Sequence, residues 1–339
     1  MEEAHYYCNE KQTKDLPKVL VIGPPGNMAT LKPKYPQKYS LSNPWDASLP
    51  LHKFMAENHY EPTMFEALLC WPFGPPINAH VFQLLPCVKL VITTSTGTDH
   101  IDISECHCRG IQVANVGTLY SEDVADIAVA LLIDVLTKLS AADRFVKTRM
   151  PSATWHFPLC SNSKLGGKRV GIVGLGSIGM KVAKRLEAFG CIISYLSRNK
   201  NPFVSEYPFY SNMVELAATS DALVLCCPLN ETTRHMVNKE VMLALGNKGV
   251  IVNVGRGSLI DEKELVKCLM EGHIGGAGLD VFENEPNVPQ ELLAMDNVVL
   301  SPHNASFTIE NHMATAKLVA ENLEAFLSNK PLITPVRLH

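Results

Sequence analysis

Short, continuous apolar runs separated by polar or glycine-rich breaks set the pattern of the chain. KVLVI (Lys18 to Ile22), FEALLC (Phe65 to Cys70) and VKLVI (Val88 to Ile92) each read as a strand buried on both faces. QVA (Gln112 to Ala114) is a further short strand, and the Pro- and Gly-rich GPPGNMATLKPKYPQ after the first run is loop. From Arg169 onward strands and helices alternate. RVGIV, CIISYL, ALVLCC, GVIVNV, GGAGLD and NVVL are strands, with helical segments such as EKELVKCLMEG, ended by Gly272, between most of them. Alternation of this kind predicts an α/β protein with doubly wound parallel sheets.

Helical spacing adds three larger elements. One long helix is expected over 121–149, with Ser121 as N-cap, Glu122 and Asp123 in its first turn, and Val124, Ile127, Leu131, Leu132, Val135 and Leu139 on one face. Lys147 and Arg149 lie near its end and Pro151 closes it. At that length it would reach roughly 40 Å, enough to bridge domains or form a subunit interface. A second helix carries Ile178, Val182, Leu186 and Phe189 before Gly190, and a last one, over 308–328, carries Ile309, Met313, Ala316, Leu323 and Phe326. After a loop, SATWHFPLCSNSKLGG, the second strand set begins.

With 339 residues the chain has room for two domains, and 46% hydrophobic with 19% charged residues excludes a disordered protein. A net charge of −4 gives no electrostatic case for nucleic acid or an anionic membrane. The polar start MEEAHYYCNEKQTK is neither a secretory signal nor a transit peptide, no apolar run reaches spanning length, and PVRLH is not a peroxisomal tripeptide. A cytoplasmic location is the expectation. The 10 cysteines include core positions such as Cys70, Cys191, Cys226 and Cys227. Cys106, His107 and Cys108 lack a second ligand pair at zinc spacing, so no metal site is expected.

GLGSIG, Gly174 to Gly179, follows a strand and opens a helix, which is the context a dinucleotide turn needs. Gly174 permits the tight turn, Gly176 lets the backbone approach a pyrophosphate, and Gly179 lets helix and strand pack. The acid that usually binds the adenosine ribose about 20 residues later is missing. Ser197, Arg198, Asn199 and Lys200 stand there instead. Such residues attract a 2′-phosphate, so NADP(H) is the preferred cofactor and NAD(H) the alternative; the rival reading of SRNK is a solvated loop. Arg256 in VNVGRGSLID, Asp280 and Glu285 in GLDVFENEP, and His303 in SPHNAS follow later strands, at the sheet end where ligands bind. Histidine suits proton transfer near neutral pH, and arginine places positive charge where an oxygen gains negative character.

These motifs, in this order and with CCPLNETTRHMVN, resemble the D-isomer-specific 2-hydroxyacid dehydrogenase family, most strongly from Val88 to Pro335. SxGTDHID (Ser95 to Asp102), SEDVAD and the SRN loop are similar to its plant branch of glyoxylate/hydroxypyruvate and hydroxyphenylpyruvate reductases. The resemblance implies two Rossmann- or flavodoxin-like domains: a substrate domain over 1–117 and 305–339, and a dinucleotide-binding domain over 118–304, with the active site in the cleft. It implies that Arg256 binds a small 2-oxo acid, that His303 donates the proton, and that Glu285 pairs with His303. Backbone N–H groups of Ser95, Thr96 and Gly97 would hold the substrate carboxylate. Leu175, Ser177 and Ile178 would lie at the pyrophosphate, and Cys227, Pro228 and Leu229 on the adenosine side, with Thr233 at the phosphates. Val254, Gly255, Arg256 and Asp280 would flank the nicotinamide, near His303 and Ala305, the latter in a place where many members have Gly. A homodimer is the family expectation. Hydroxypyruvate and glyoxylate are the first substrates to consider, 4-hydroxyphenylpyruvate the alternative, and a nucleotide-sensing corepressor-like role a third reading.

Overall fold

A computed structural model describes residues 16–23, 39–149, 162–202, 204 and 206–336. The chain divides into two compact units, Met1–Tyr120 with Thr308–His339, and Ser121–Phe307. The loop expected over 23–37, apart from Gly23, together with Pro151 and most of the loop after it, lies outside the described residues.

The first unit is built on β1 (Lys18–Ile22), β2 (Ser40–Leu41), β3 (Phe65–Cys70), β4 (Leu90–Thr93) and β5 (Gln112–Ala114), all parallel, in the order β2-β1-β3-β4-β5. Both faces are covered, which explains the unbroken apolar runs. Leu20, Ile22, Leu68 and Val91 enter one core with Phe65 and Phe82. Val19, Val21, Leu69, Leu90 and Ile92 enter another, against Val319 and Leu323 of the C-terminal helix Ile309–Leu327.

That helix corrects the expected apolar stripe. Ile309 is 78% and Met313 60% exposed, whereas Asn311, Thr315 and Asn322 are buried. Asn322, fully buried, accepts from the N–H of Ile333 (3.0 Å) and Thr334 (3.3 Å) and donates to Leu318 O (2.9 Å) and Thr334 Oγ1 (3.1 Å). It satisfies the closing C-terminal segment, so a polar side chain belongs on the inner face. Hydrophobicity alone could not place it.

The second unit carries β6 (Arg169–Val173), β7 (Ile192–Leu196), β8 (Phe209–Tyr210), β9 (Ala222–Leu225), β10 (Val250–Asn253), β11 (Gly276–Leu279) and β12 (Val298–Leu300). Their order is β12-β11-β10-β9-β6-β7-β8, all parallel, so the strand order reverses between β6 and β9. That switch point is where a doubly wound sheet takes its ligand. The expected α/β class with two parallel sheets is therefore what the chain adopts.

The single long helix does not form. Two helices, Ser121–Thr137 and Leu139–Arg149, meet at Lys138, whose φ is +54°. The Asp134 carboxylate accepts the N–H of Ser140 (2.8 Å) and also the Ser140 hydroxyl, so it caps the second helix and stabilises the break. Seventeen residues span only about 25 Å, well short of the expected reach. Leu139, expected on the buried face, is 64% exposed, while Val124, Leu131, Leu132 and Val135 are buried as the spacing required. In the helix Ser177–Ala188, Val182 and Leu186 are fully buried, but Phe189 lies past its end and is 49% exposed. Cys106 is buried in the helix Ile103–Cys108, and no metal-binding cluster occurs among the described residues.

Candidate active site

The glycine turn closes β6 and starts the helix Ser177–Ala188 at the switch point. Gly174 has φ +94°, and a Cβ there would lie 2.7 Å from the Cys227 nitrogen just beyond β9. A Cβ on Gly179 would lie 2.1 Å from Gly174 O. These two glycines are therefore required by packing between strand, turn and helix. Gly176 differs: a Cβ there would meet nothing within 4 Å, and no side chain caps the helix it precedes. An uncapped helix start beneath an open glycine is the surface a pyrophosphate needs, so these residues fit a bound dinucleotide. Leu175 is buried, whereas Ser177 is exposed and Ile178 half-buried.

At the end of β7 the Ser197 hydroxyl donates to Asn199 O over 2.6 Å, which curls the loop. Arg198, Asn199 and Lys200 are exposed, and among the described residues neither cation has a carboxylate partner. Beyond β9, Cys227 lies against the glycine turn. The Thr233 hydroxyl donates to Pro228 O (2.9 Å) and accepts the Asn230 N–H (2.8 Å), so it shapes the loop after Pro228.

Arg256, Asp280, Glu285 and His303 all come from the ends of β10, β11 and β12. Nδ1 of His303 lies 2.8 Å from Oε2 of Glu285, with the two side chains 27% and 26% exposed. The other oxygen of Glu285 accepts the N–H of Phe282 at 2.9 Å. Burial pushes the Glu285 carboxyl up, but the His303 hydrogen bond, the Phe282 N–H and the positive charges of His303 and Arg256 outweigh it, and the group stays below its ordinary value. Glu285 is thus held as a carboxylate, and its bond fixes the orientation of the imidazole.

Asp280 is almost fully buried, and its carboxylate is a clamp on the turn that carries His303. Oδ1 accepts the Ser301 hydroxyl (2.5 Å) and the Asn304 N–H (3.1 Å), while Oδ2 accepts the Ala305 N–H (3.3 Å). The backbone carbonyl of Asp280 accepts the His303 N–H at 2.7 Å. His303 sits at φ +52°, an uncommon conformation for a side chain with Cβ, and these bonds hold it there.

Asn253, absent from the sequence-based assignment, does the same for Arg256. It is fully buried at the end of β10, accepts the Gly255 N–H (3.0 Å) and donates to Arg256 O (2.8 Å). The Val254 N–H donates to Leu225 O (3.2 Å), and the Arg256 guanidinium donates to Gly255 O (2.8 Å). An asparagine closing an otherwise apolar strand, VIVN, was the available signal.

Within the first unit, the loop after β4 is also internally braced. Ser95 donates its hydroxyl to Gly97 O (2.7 Å), and its N–H donates to Thr93 Oγ1 (3.3 Å). Ser95 therefore braces the loop from within. The N–H groups of Thr96 and Gly97 have no acceptor among the described residues. Two such successive groups suit an anion.

Residues 129–305 match the D-isomer specific 2-hydroxyacid dehydrogenase, NAD binding domain. A glyoxylate/hydroxypyruvate reductase of Arabidopsis thaliana is 55% identical over 78% of this chain and 80% of its own length. A hydroxyphenylpyruvate reductase of Plectranthus scutellarioides is 47% identical over 76% of this chain and 82% of its own. Among solved structures, an NADPH-dependent glyoxylate/hydroxypyruvate reductase from Sinorhizobium meliloti, in complex with NADP and malonate, superposes with a TM-score of 0.85. It is 34% identical and covers 95% of this chain and 97% of that one. With that family match over more than half of its length, and relatives of this identity, the chain belongs to the D-isomer-specific 2-hydroxyacid dehydrogenase family.

Proposed function

We propose that this protein reduces small 2-oxo acids, hydroxypyruvate and glyoxylate first, to D-2-hydroxy acids, with NADPH as preferred reductant and NADH as the alternative. The observation that carries this reading is the His303–Glu285 pair at 2.8 Å, on the same unit as the glycine turn. The glyoxylate/hydroxypyruvate reductase relatives support the substrate class, and the NADP complex of the Sinorhizobium meliloti enzyme supports the cofactor.

A dinucleotide held at the Gly174–Gly179 turn would supply the hydride for the keto carbon. His303 delivers a proton from Nε2 to the keto oxygen, since its Nδ1 is taken up by Glu285. The C=O π bond breaks, one C–H and one O–H bond form, and the product is the alcohol. Glu285 stays ionised and stabilises the protonated imidazole before transfer. Arg256, fixed through Asn253, places positive charge beside the oxygen as it gains negative character. The Thr96 and Gly97 N–H groups bind the substrate carboxylate, and Arg198 and Lys200 receive the 2′-phosphate. A homodimer fits the exposed apolar side chains Leu139, Val146 and Leu293.

The second reading, reduction of 4-hydroxyphenylpyruvate, is favoured by the Plectranthus scutellarioides relative. Steady-state NADPH oxidation with hydroxypyruvate, glyoxylate and 4-hydroxyphenylpyruvate in parallel separates the two. A His303→Ala variant should lose at least about 100-fold in kcat. Wild-type turnover by that variant would remove His303 from the role of proton donor.

A further inference from the structure

The segment that carries Glu285 is anchored from behind by a second set of charged groups, none of which bonds to the Glu285–His303 pair. The N–H of Glu283 donates to Oε2 of Glu262 at 3.1 Å, one residue after the Phe282 N–H that Glu285 itself accepts. The Glu283 carboxylate faces Nε2 of His235 at 2.7 Å and the Arg234 guanidinium at 3.1 Å. His235 stands at φ +50°, and its N–H donates to Ser258 O at 2.8 Å. The turn over 257–259 that follows Arg256 is thereby tied to the same place. A Cβ on Gly257 would lie 1.9 Å from the Phe282 carbonyl carbon, so the backbone after Arg256 lies directly on the Phe282–Glu283 peptide. Arg256 and Glu285 are distant in sequence, yet they share this one peptide as their support.

Glu262 is an expensive residue in this place. It is 8% exposed, and burial, with Glu283 and Glu285 nearby, pushes its carboxyl up despite the Glu283 N–H. A buried acid beside two others weakens a fold unless it does something that an apolar residue cannot. Here it supplies the acceptor for an N–H in the loop that aims the catalytic carboxylate.

We propose that Glu262, Glu283 and His235 are positioning residues that hold the Phe282–Glu283 peptide, and through it Arg256 and the Glu285–His303 pair, in register. This rests on the reductase reading above. None of the three touches the reacting atoms in this scheme. They act by fixing where Glu285 and Arg256 stand.

The test compares Glu262→Leu, which removes the acceptor, with Glu262→Gln, which keeps an acceptor oxygen. In the full-length protein, kcat and KM for hydroxypyruvate, the pH profile of kcat/KM, NADPH affinity by fluorescence and amide exchange at Glu283 are measured. Glu262→Leu should lower kcat about tenfold or more. Its NADPH affinity should stay within about twofold, because the glycine turn is untouched. The pH profile of kcat/KM should change together with kcat, because Glu285 is displaced. The Glu283 amide should exchange faster. Glu262→Gln should restore all three properties to near wild type. His235→Asn, whose residue type tolerates the left-handed backbone, is the second variant and needs no acceptor at residue 262. It should lower kcat about threefold with the same change in the pH profile. Wild-type kcat and pH profile in folded Glu262→Leu or in His235→Asn would overturn the proposal, as would a Glu262→Gln variant as impaired as Glu262→Leu. A wild-type chain without turnover on any of the three 2-oxo acids would overturn the reductase reading, and this proposal with it.

Discussion

The hydroxyl of Ser301 donates to Oδ1 of Asp280 over 2.5 Å, and through that bond the end of β11 holds the turn that follows β12. The same carboxylate takes the N–H groups of Asn304 and Ala305. Hydrogen bonds to a buried charge contribute about 1.5–3 kcal/mol, more than neutral ones. Asp280→Asn points an amide at groups that are all donors, and should lower unfolding stability by about 2 kcal/mol as well as lowering kcat. Ser301→Ala removes one donor and should lose about 1 kcal/mol. Urea unfolding of both variants checks the order. Equal stabilities for Asp280→Asn and wild type would remove the clamp.

Two glycines of the same turn should fail in different ways. Gly179→Ala forces a Cβ to 2.1 Å from Gly174 O, and should destabilise the fold by about 1–3 kcal/mol. Gly176→Ala meets open space and needs no positive φ, so its melting temperature should stay near wild type. If the pyrophosphate binds at this turn as proposed, the new methyl group would stand against it, and the Kd for NADPH should rise about tenfold or more, equivalent to about 1.4 kcal/mol. Thermal melts and nucleotide titrations of the pair separate packing from binding.

The depressed carboxyl of Glu285 makes a prediction about pH. A carboxylate held below its ordinary value binds fewer protons in the folded than in the unfolded state. Its contribution to stability is complete above the usual carboxylate range and is lost as pH falls through the lowered value. The stability difference between wild type and Glu285→Gln should therefore be constant near pH 7 and shrink below about pH 4.5, the ordinary value for Glu. Urea midpoints from pH 7 to pH 3 measure this, and a difference that grows on acidification would contradict the assignment.

Ser197 offers a direct way to alter cofactor choice. Ser197→Asp restores an acid near the end of β7 and removes the hydroxyl that curls the loop onto Asn199. Repulsion of the 2′-phosphate should raise the KM for NADPH at least about tenfold, with a smaller effect on NADH. Equal changes for both cofactors would mean that the loop does not meet the 2′-phosphate.

What the sequence disclosed and what it withheld have a common physical cause. The glycine turn was legible because strand, turn and helix are contiguous and each glycine answers a local demand. Arg256, Glu285 and His303 stand out in the sequence as candidates because they follow strands whose ends meet in a doubly wound sheet. The break at Lys138 was not, because no Gly or Pro marks it; Asp134 stabilises it by capping the following helix. Asn253, Glu262 and His235 were not, because each acts through bonds to segments that the sequence pattern does not connect. Asp280 stands out in the sequence as a candidate, but its clamping of Ser301, Asn304 and Ala305 appears only once β11 and β12 lie side by side.

The most direct measurement is the initial rate of cofactor oxidation with hydroxypyruvate, NADPH against NADH at equal concentrations. A rate with hydroxypyruvate and NADPH, well above that with NADH, is the predicted result. No oxidation of either cofactor, or a rate with NADH equal to or above that with NADPH, would contradict it.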